Sequence, residues 1–115
     1  MFIQAYEEIL SDEQGNVRES EREIISQTIN SMESSDAAPN DVLGRVKAIH
    51  FVREVWSYFL NDLASSENET PAELKASLIS IGIFVMKHLE QMRIDNSVKF
   101  EPLVEISRSI EKGLS

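Results

Sequence analysis

The sequence contains no cysteine, one tryptophan, three prolines and four glycines among its 115 residues. Without cysteine there are no disulfides and no thiolate chemistry, which agrees with a reducing compartment. No apolar run approaches the roughly 20 residues that a membrane-spanning helix needs. The first residues carry Glu7 and Glu8 and no basic stretch. We therefore expect neither a membrane span nor a signal peptide.

Motifs of the common enzyme and cofactor sites are also missing. The sequence has no G-x-S-x-G, no P-loop and no G-x-G-x-x-G. His50 and His88 are its only histidines; His50 and Glu54 are spaced i, i+4 on one helical face. A structural zinc site normally uses four Cys or His ligands, so we expect a solvated pair and no metal. These absences argue against an enzyme and leave open only a catalytic site assembled from scattered residues. We expect no cofactor and no small-molecule substrate.

Apolar residues make up 42% and charged residues 27% of the chain, as in ordinary globular proteins. At this length we expect a single domain over residues 1–115. Residues 1–41 hold ten acidic and two basic residues (−8), and residues 42–115 hold ten acidic and nine basic residues (−1). The acidic part repels phosphate backbones, so direct nucleic-acid binding is not expected. The later part leaves room for a local basic patch from Arg45, Lys47, Arg53 and Lys87.

The first half of the chain predicts two helices. Helical spacing of apolar residues indicates a helix over about residues 17–34, with Asn16 and Glu19 as its capping box. Residues 34–40 have the composition of a linker. A longer helix follows over about residues 41–64. Its expected apolar face consists of Val42, Val46, Ile49, Trp56, Leu60 and Leu63, widened by Val52, Val55 and Phe59. The residues before position 15, with Phe2, Ile3, Tyr6, Ile9 and Leu10, predict either a short helix or an extended arm.

The second half predicts two more helices. Thr70 as N-cap, Pro71 in the first turn and Glu73 three residues after the cap predict a helix to about Arg93. Apolar residues on two of its sides indicate a central helix with two neighbours. The first stripe is Leu74, Leu78, Ile81, Val85, Leu89 and Met92, and the second is Ile79, Ile83 and Met86. A last helix covers about residues 101–112, with Gly113 as its cap. Together these patterns predict an all-α antiparallel bundle of about four helices with an N-terminal arm.

A few residues depart from these stripes and are candidates for binding a partner. Phe84 falls on a polar helical face together with Ser80 and Lys87, and Phe51 and Tyr58 lie beside the polar face of the preceding helix. An exposed aromatic side chain is typical of a protein contact, although Phe84 could instead pack under the N-terminal arm. Gly82 inside a strong helix indicates a close approach of two helices or a notch in a ligand groove; we favour the close approach.

Several of these residues together resemble the FlaF family of flagellar proteins. The resemblance is carried by Trp56, residues 62–64 (Asp-Leu-Ala), Asn68, Pro71, Leu74 and residues 78–82 (Leu-Ile-Ser-Ile-Gly), and by residues 100–110 near the C-terminus. The family position at Phe84 is often aromatic. The resemblance implies a cytoplasmic factor, not an enzyme, that is needed for flagellin production and export. It also implies flagellin as a partner, and a partner regulator, FlbT, that restrains flagellin synthesis.

Three functions follow from this resemblance as hypotheses. The first is a regulator that binds flagellin as a secretion chaperone and promotes its synthesis and export. The second is a post-transcriptional regulator that contacts flagellin mRNA through a basic or aromatic surface. The third is an adaptor that binds FlbT and never touches flagellin.

Overall fold

Four helices make up the part of the chain that the computed structural model describes, residues 14–113, with side-chain surroundings for residues 22–112. They are α1 (Gln14–Ala37), α2 (Val42–Ala64), α3 (Ala72–Ile94) and α4 (Glu101–Gly113). No strand occurs in this range, and no helix within it is long and apolar enough to cross a membrane. The predicted all-α fold is confirmed. The predicted N-terminal arm lies outside the described residues.

The helices pack as antiparallel neighbours. The closely packed pairs are α1 with α4, α2 with α3, and α1 with α2. Along the α2–α3 pair, Arg45 contacts the end of α3 and Leu60 contacts Gly82 in its middle, so the two sequences run in opposite directions. The prediction that α3 is the central helix is wrong. Its extended contact is with α2, whereas α1 and α2 each lie between two neighbours.

The core is a single apolar cluster shared by all four helices. Trp56, predicted to be core, is 6% exposed, and its ring centroid lies 5.2 Å from that of Phe59. Five of the described side chains are completely buried, and they come from three helices and from the turn before α4: Met32, Val52, Leu63, Leu89 and Phe100. Burial of such side chains stabilises the fold by about 1.5–3 kcal/mol each. The amphipathic stripes thus hold the bundle together.

The helix boundaries differ from the prediction at two starts. α1 begins at Gln14, so Gly15 and the predicted cap Asn16 lie inside the helix. Each of these residues lowers helix stability by about 1 kcal/mol or less relative to alanine. α3 begins at Ala72 with Pro71 at the N-cap position, because Pro71 has an extended ψ of 142° and no helical conformation. Thr70 is therefore not the cap; its backbone N–H donates to Asn68 Oδ1.

Parts of the predicted apolar faces are exposed. Val42 and Val46 at the start of α2 were expected in the core but are 69% and 55% exposed. Arg45 already reaches the last turn of α3, so Val42, one turn earlier, lies beyond the residues that could cover it. On α3, Leu74 and Ile83 are also about half exposed, since α3 has no second extended neighbour to cover them.

Gly82 permits the close approach of α3 to α2. It is buried, and a Cβ atom added there would overlap Leu60 Cδ2 and lie 3.0 Å from Leu60 Cγ. The Leu60 side chain thus occupies the volume that any larger residue at position 82 would need. The predicted packing role of Gly82 is confirmed.

A double-mutant cycle tests this contact. Alanine is about 1 kcal/mol more favourable than glycine in a helix, whereas overpacking costs about 1–3 kcal/mol. We expect Gly82→Ala to stabilise the protein in a Leu60→Ala background. In the wild-type background its effect on the free energy of unfolding should be less favourable by at least ~1 kcal/mol. Urea unfolding of the four proteins measures this coupling. Equal effects of Gly82→Ala in both backgrounds would contradict the close contact.

Candidate functional site

The candidate residue Phe84 lies on the outer face of α3. Its side chain is 48% exposed, and Ser80 and Lys87 beside it on the same face are exposed as well. Phe84 follows Gly82 by two residues, which turns its side chain by about 200° away from the α2-facing side. Its ring centroid lies 6.1 Å from that of His88. His88 in turn bonds the Lys99 carbonyl through Nε2 at 2.6 Å, so Nε2 carries the proton.

Phe51 and Tyr58 belong to a different surface. They are seven residues apart on α2 and therefore share one face; Phe51 is half-buried and Tyr58 is 55% exposed. Tyr58 precedes Leu60 by two residues, which again directs it about 200° away from the α2–α3 contact. The structure therefore brings Phe84, Ser80 and Lys87 together and places Phe51 and Tyr58 on the opposite side of the helix pair.

A groove that the sequence pattern did not predict lies between the start of α2 and the end of α3. It has a volume of about 230 Å³. Its lining consists of Val42, Arg45, Val46, Ile49, His50, Arg53, Met92, Arg93 and Asn96, and we call it the arginine-rimmed groove. Leu43 and Ile94 are also exposed on the same two helix segments, Ile94 by 78%. The sequence gives no separate signal for this groove, because Val42, Leu43 and Val46 cover about 100° of the helix, the ordinary width of a core-facing side.

Three arginines border this groove, and each is held in place. The Arg45 guanidinium donates from Nη2 to the carbonyl oxygens of Met92 at 2.8 Å and Asp95 at 3.0 Å, near the C-terminal end of α3. Arg53 Nη2 lies 3.3 Å from Glu90 Oε2, and Arg93 Nη2 lies 2.6 Å from Glu90 Oε1. Glu90 thus links α2 to α3 and positions two of the guanidinium groups.

These contacts lower the pKa of two carboxyl groups. The hydrogen bond from Arg93, followed by its charge and by the contact with Arg53, lowers the pKa of Glu90. Hydrogen bonds from the Ser97 side chain and backbone lower the pKa of Asp95, with a further contribution from Arg45. Both groups are therefore ionised at neutral pH.

The basic residues proposed for RNA contact do not form one free patch. Arg45 contacts backbone carbonyls and Arg53 contacts Glu90, both between α2 and α3. Lys47 and Lys87, by contrast, are exposed. His50 Nε2 lies 3.8 Å from Glu54 Oε1, and both side chains are exposed. Within residues that the structure describes, no three His, Asp or Glu side chains lie together as a metal site.

The pH dependence of stability tests the Glu90 bridge. A lowered pKa in the folded state means that the folded protein binds fewer protons than the unfolded chain, so this stabilisation is complete above glutamate's ordinary pKa and is lost as pH falls through the folded value. We expect wild type to exceed Glu90→Gln in free energy of unfolding at neutral pH and the two to converge in acid. Urea unfolding at several pH values measures this. A Glu90 carboxyl that titrates by NMR at or above 4.5 would contradict it.

Comparison with known proteins agrees with the resemblance seen in the sequence. A family model described as "Flagellar protein FlaF" matches residues 2–114. No curated protein and no solved structure gives a match. The match includes all four helices, the Phe84 face and the arginine-rimmed groove. The chain therefore belongs to the FlaF family of flagellar proteins, and its role lies in flagellar biosynthesis.

Proposed function

We propose that this protein binds flagellin in the cytoplasm as a secretion chaperone and thereby promotes flagellin synthesis and export. It acts by binding and not by catalysis. Family membership supports the flagellar context. The observation that carries the proposal is the amount of apolar surface left in water by the described residues. Eight large apolar or aromatic side chains are about half exposed or more: Val42, Leu43, Val46, Tyr58, Leu74, Ile83, Phe84 and Ile94.

Apolar surface of this kind suits an amphipathic segment of an unassembled subunit. Such a segment can lay its apolar side against helices of a chaperone, with anchors spaced i, i+3, i+4 and i+7. Ordering a disordered segment costs several kcal/mol, so we expect a dissociation constant on the order of a micromolar. A segment held in this way is unable to polymerise before export. Its occupancy also reports how much flagellin remains unexported.

Titration calorimetry with the cognate monomeric flagellin tests the function. We expect saturable binding that is lost when one terminal segment of flagellin is deleted and retained when the other is deleted, because one segment supplies the amphipathic helix. Flagellin that fails to bind at any concentration up to about 100 µM would overturn the proposal. Co-purification with FlbT in the absence of flagellin would then support the adaptor function.

Phe84 provides a site-specific test with a neighbouring control. Truncation of an aromatic contact residue typically costs 1–2 kcal/mol or more of binding energy. We expect Phe84→Ala to weaken flagellin binding at least tenfold, with unchanged helical content and melting temperature, since the ring is about half in water. Ile83→Ala is the comparison within the same exposed surface: Ile83 is equally exposed on the same helix but lies about 100° away, so we expect it to weaken binding less than Phe84→Ala. Unfolding of the Phe84→Ala protein, or equal weakening by both changes, would refute the role of Phe84.

A further inference from the structure

The arginine-rimmed groove combines an apolar floor with an unusual charge. Ile49 and Met92 form its buried base, with side chains 8% and 1% exposed. Val42 and Val46 line its side and are 69% and 55% exposed. The protein as a whole carries a net charge of −9. Yet the lining of this groove includes three arginines and one histidine and no carboxylate. The groove is thus an apolar surface bordered by positive charge on an acidic protein.

The positive groups are fixed before any partner binds. Glu90 holds Arg53 and Arg93, and the carbonyls of Met92 and Asp95 hold Arg45. Glu90 balances one of the three charges, and Asp95 directs its carboxylate to the Ser97 N–H and hydroxyl. Fixed guanidinium groups lose little conformational freedom when they pair with carboxylates. The geometry therefore favours a partner with carboxylates beside an apolar ridge.

The N-terminal residues of the same chain are attached far from this groove. They precede Gln14 at the start of α1, and α1 runs antiparallel to α2. Ile24 and Ile25 near the start of α1 lie beside Val55 and Phe59 in the second half of α2. Val46 is nine residues before Val55, a distance of about 13 Å along the helix, and Gln14 lies a further ten residues beyond Ile24. The start of α1 thus lies about 28 Å from Val46 along the helices, a span that 13 extended residues can cover. Tighter flagellin binding after deletion of residues 1–13 would show that these residues occupy the groove.

A second copy of the protein is disfavoured as the occupant. A symmetric dimer would place the same patch of both subunits face to face. Arg53 and Arg93 of one copy would then approach the arginines of the other, and like charges in an interface cost several kcal/mol. The charge of the lining favours a different protein that carries carboxylates as the occupant.

We propose that the arginine-rimmed groove binds an acidic amphipathic helix of flagellin. The apolar ridge of that helix lies on Val42, Val46 and Ile49, and its flanking carboxylates pair with Arg53 and Arg93. The proposal rests on the proposed function for the source of the helix, whereas the chemistry of the groove follows from its own lining.

Substitutions in the groove and matched ones outside it provide the test, with the full-length chain and monomeric flagellin in calorimetry. Val46→Asp places a carboxylate on the apolar side, and Ser109→Asp adds a carboxylate at an exposed site on α4, outside the groove. Arg93→Glu reverses a groove charge, and Arg22→Glu reverses an exposed charge on α1, away from the groove and from Phe84. We expect Val46→Asp to weaken binding at least tenfold and Arg93→Glu at least fivefold, with both controls within twofold of wild type. Circular dichroism and melting confirm the fold of each variant.

The outcomes separate this proposal from the proposed function. If flagellin binds all four variants as it binds wild type, the groove assignment is overturned and the chaperone function stands. The groove assignment is also overturned, and the chaperone function again stands, if sedimentation shows a wild-type dimer that Val46→Asp dissociates. If flagellin does not bind wild type, the function fails, and two designed 18-residue amphipathic peptides test the groove, one flanked by Glu and one by Lys. At least tenfold preference for the Glu peptide, lost in Val46→Asp, supports the groove; equal or absent binding overturns it.

Discussion

The close approach of α3 to α2 at Gly82 is the constraint on which the rest of the described surface depends. Because position 82 has no side chain, Leu60 fills that space and the two helices meet in one register. The same register brings Arg53 next to Glu90 and Arg45 to the carbonyls of Met92 and Asp95. A shift by one helical turn, about 5.4 Å, would separate all of these pairs. Packing in the middle of the helix pair thus sets the electrostatics at its end.

The chain separates its charges in a way that suits selective binding. Most of the acidic excess lies before residue 42, whereas the groove at the start of α2 is bordered by arginine. Surface ion pairs such as Arg93–Glu90 contribute little to stability, typically 0–1 kcal/mol. Their effect here is to orient guanidinium groups beside exposed valine side chains. An apolar partner of the wrong charge is then disfavoured, while an acidic amphipathic one gains both kinds of contact.

The sequence predicted the four helices well and their mutual arrangement less well. Helical periodicity and composition located α2, α3 and α4 to within one residue at each end, whereas α1 extends about three residues beyond the prediction at each end. The cap of α3 was assigned to Thr70 because Pro71 is compatible with both the cap and the first turn, and only the extended ψ distinguishes them. Periodicity also assigned Val42 and Val46 to the core. A stripe shows that a side is apolar, but whether a neighbour covers it depends on where that neighbour ends.

The central claim is that this acidic protein recognises flagellin through exposed apolar surface of the α2–α3 pair. NMR of methyl groups during titration with flagellin tests this claim most directly. The account predicts that the methyl signals of Val42, Leu43 and Val46 shift or broaden in a saturable way. The signals of Ile29 and Leu103, buried in α1 and α4, should stay nearly unchanged. Shifts confined to α1 and α4, or no shifts at saturating flagellin, would contradict the account.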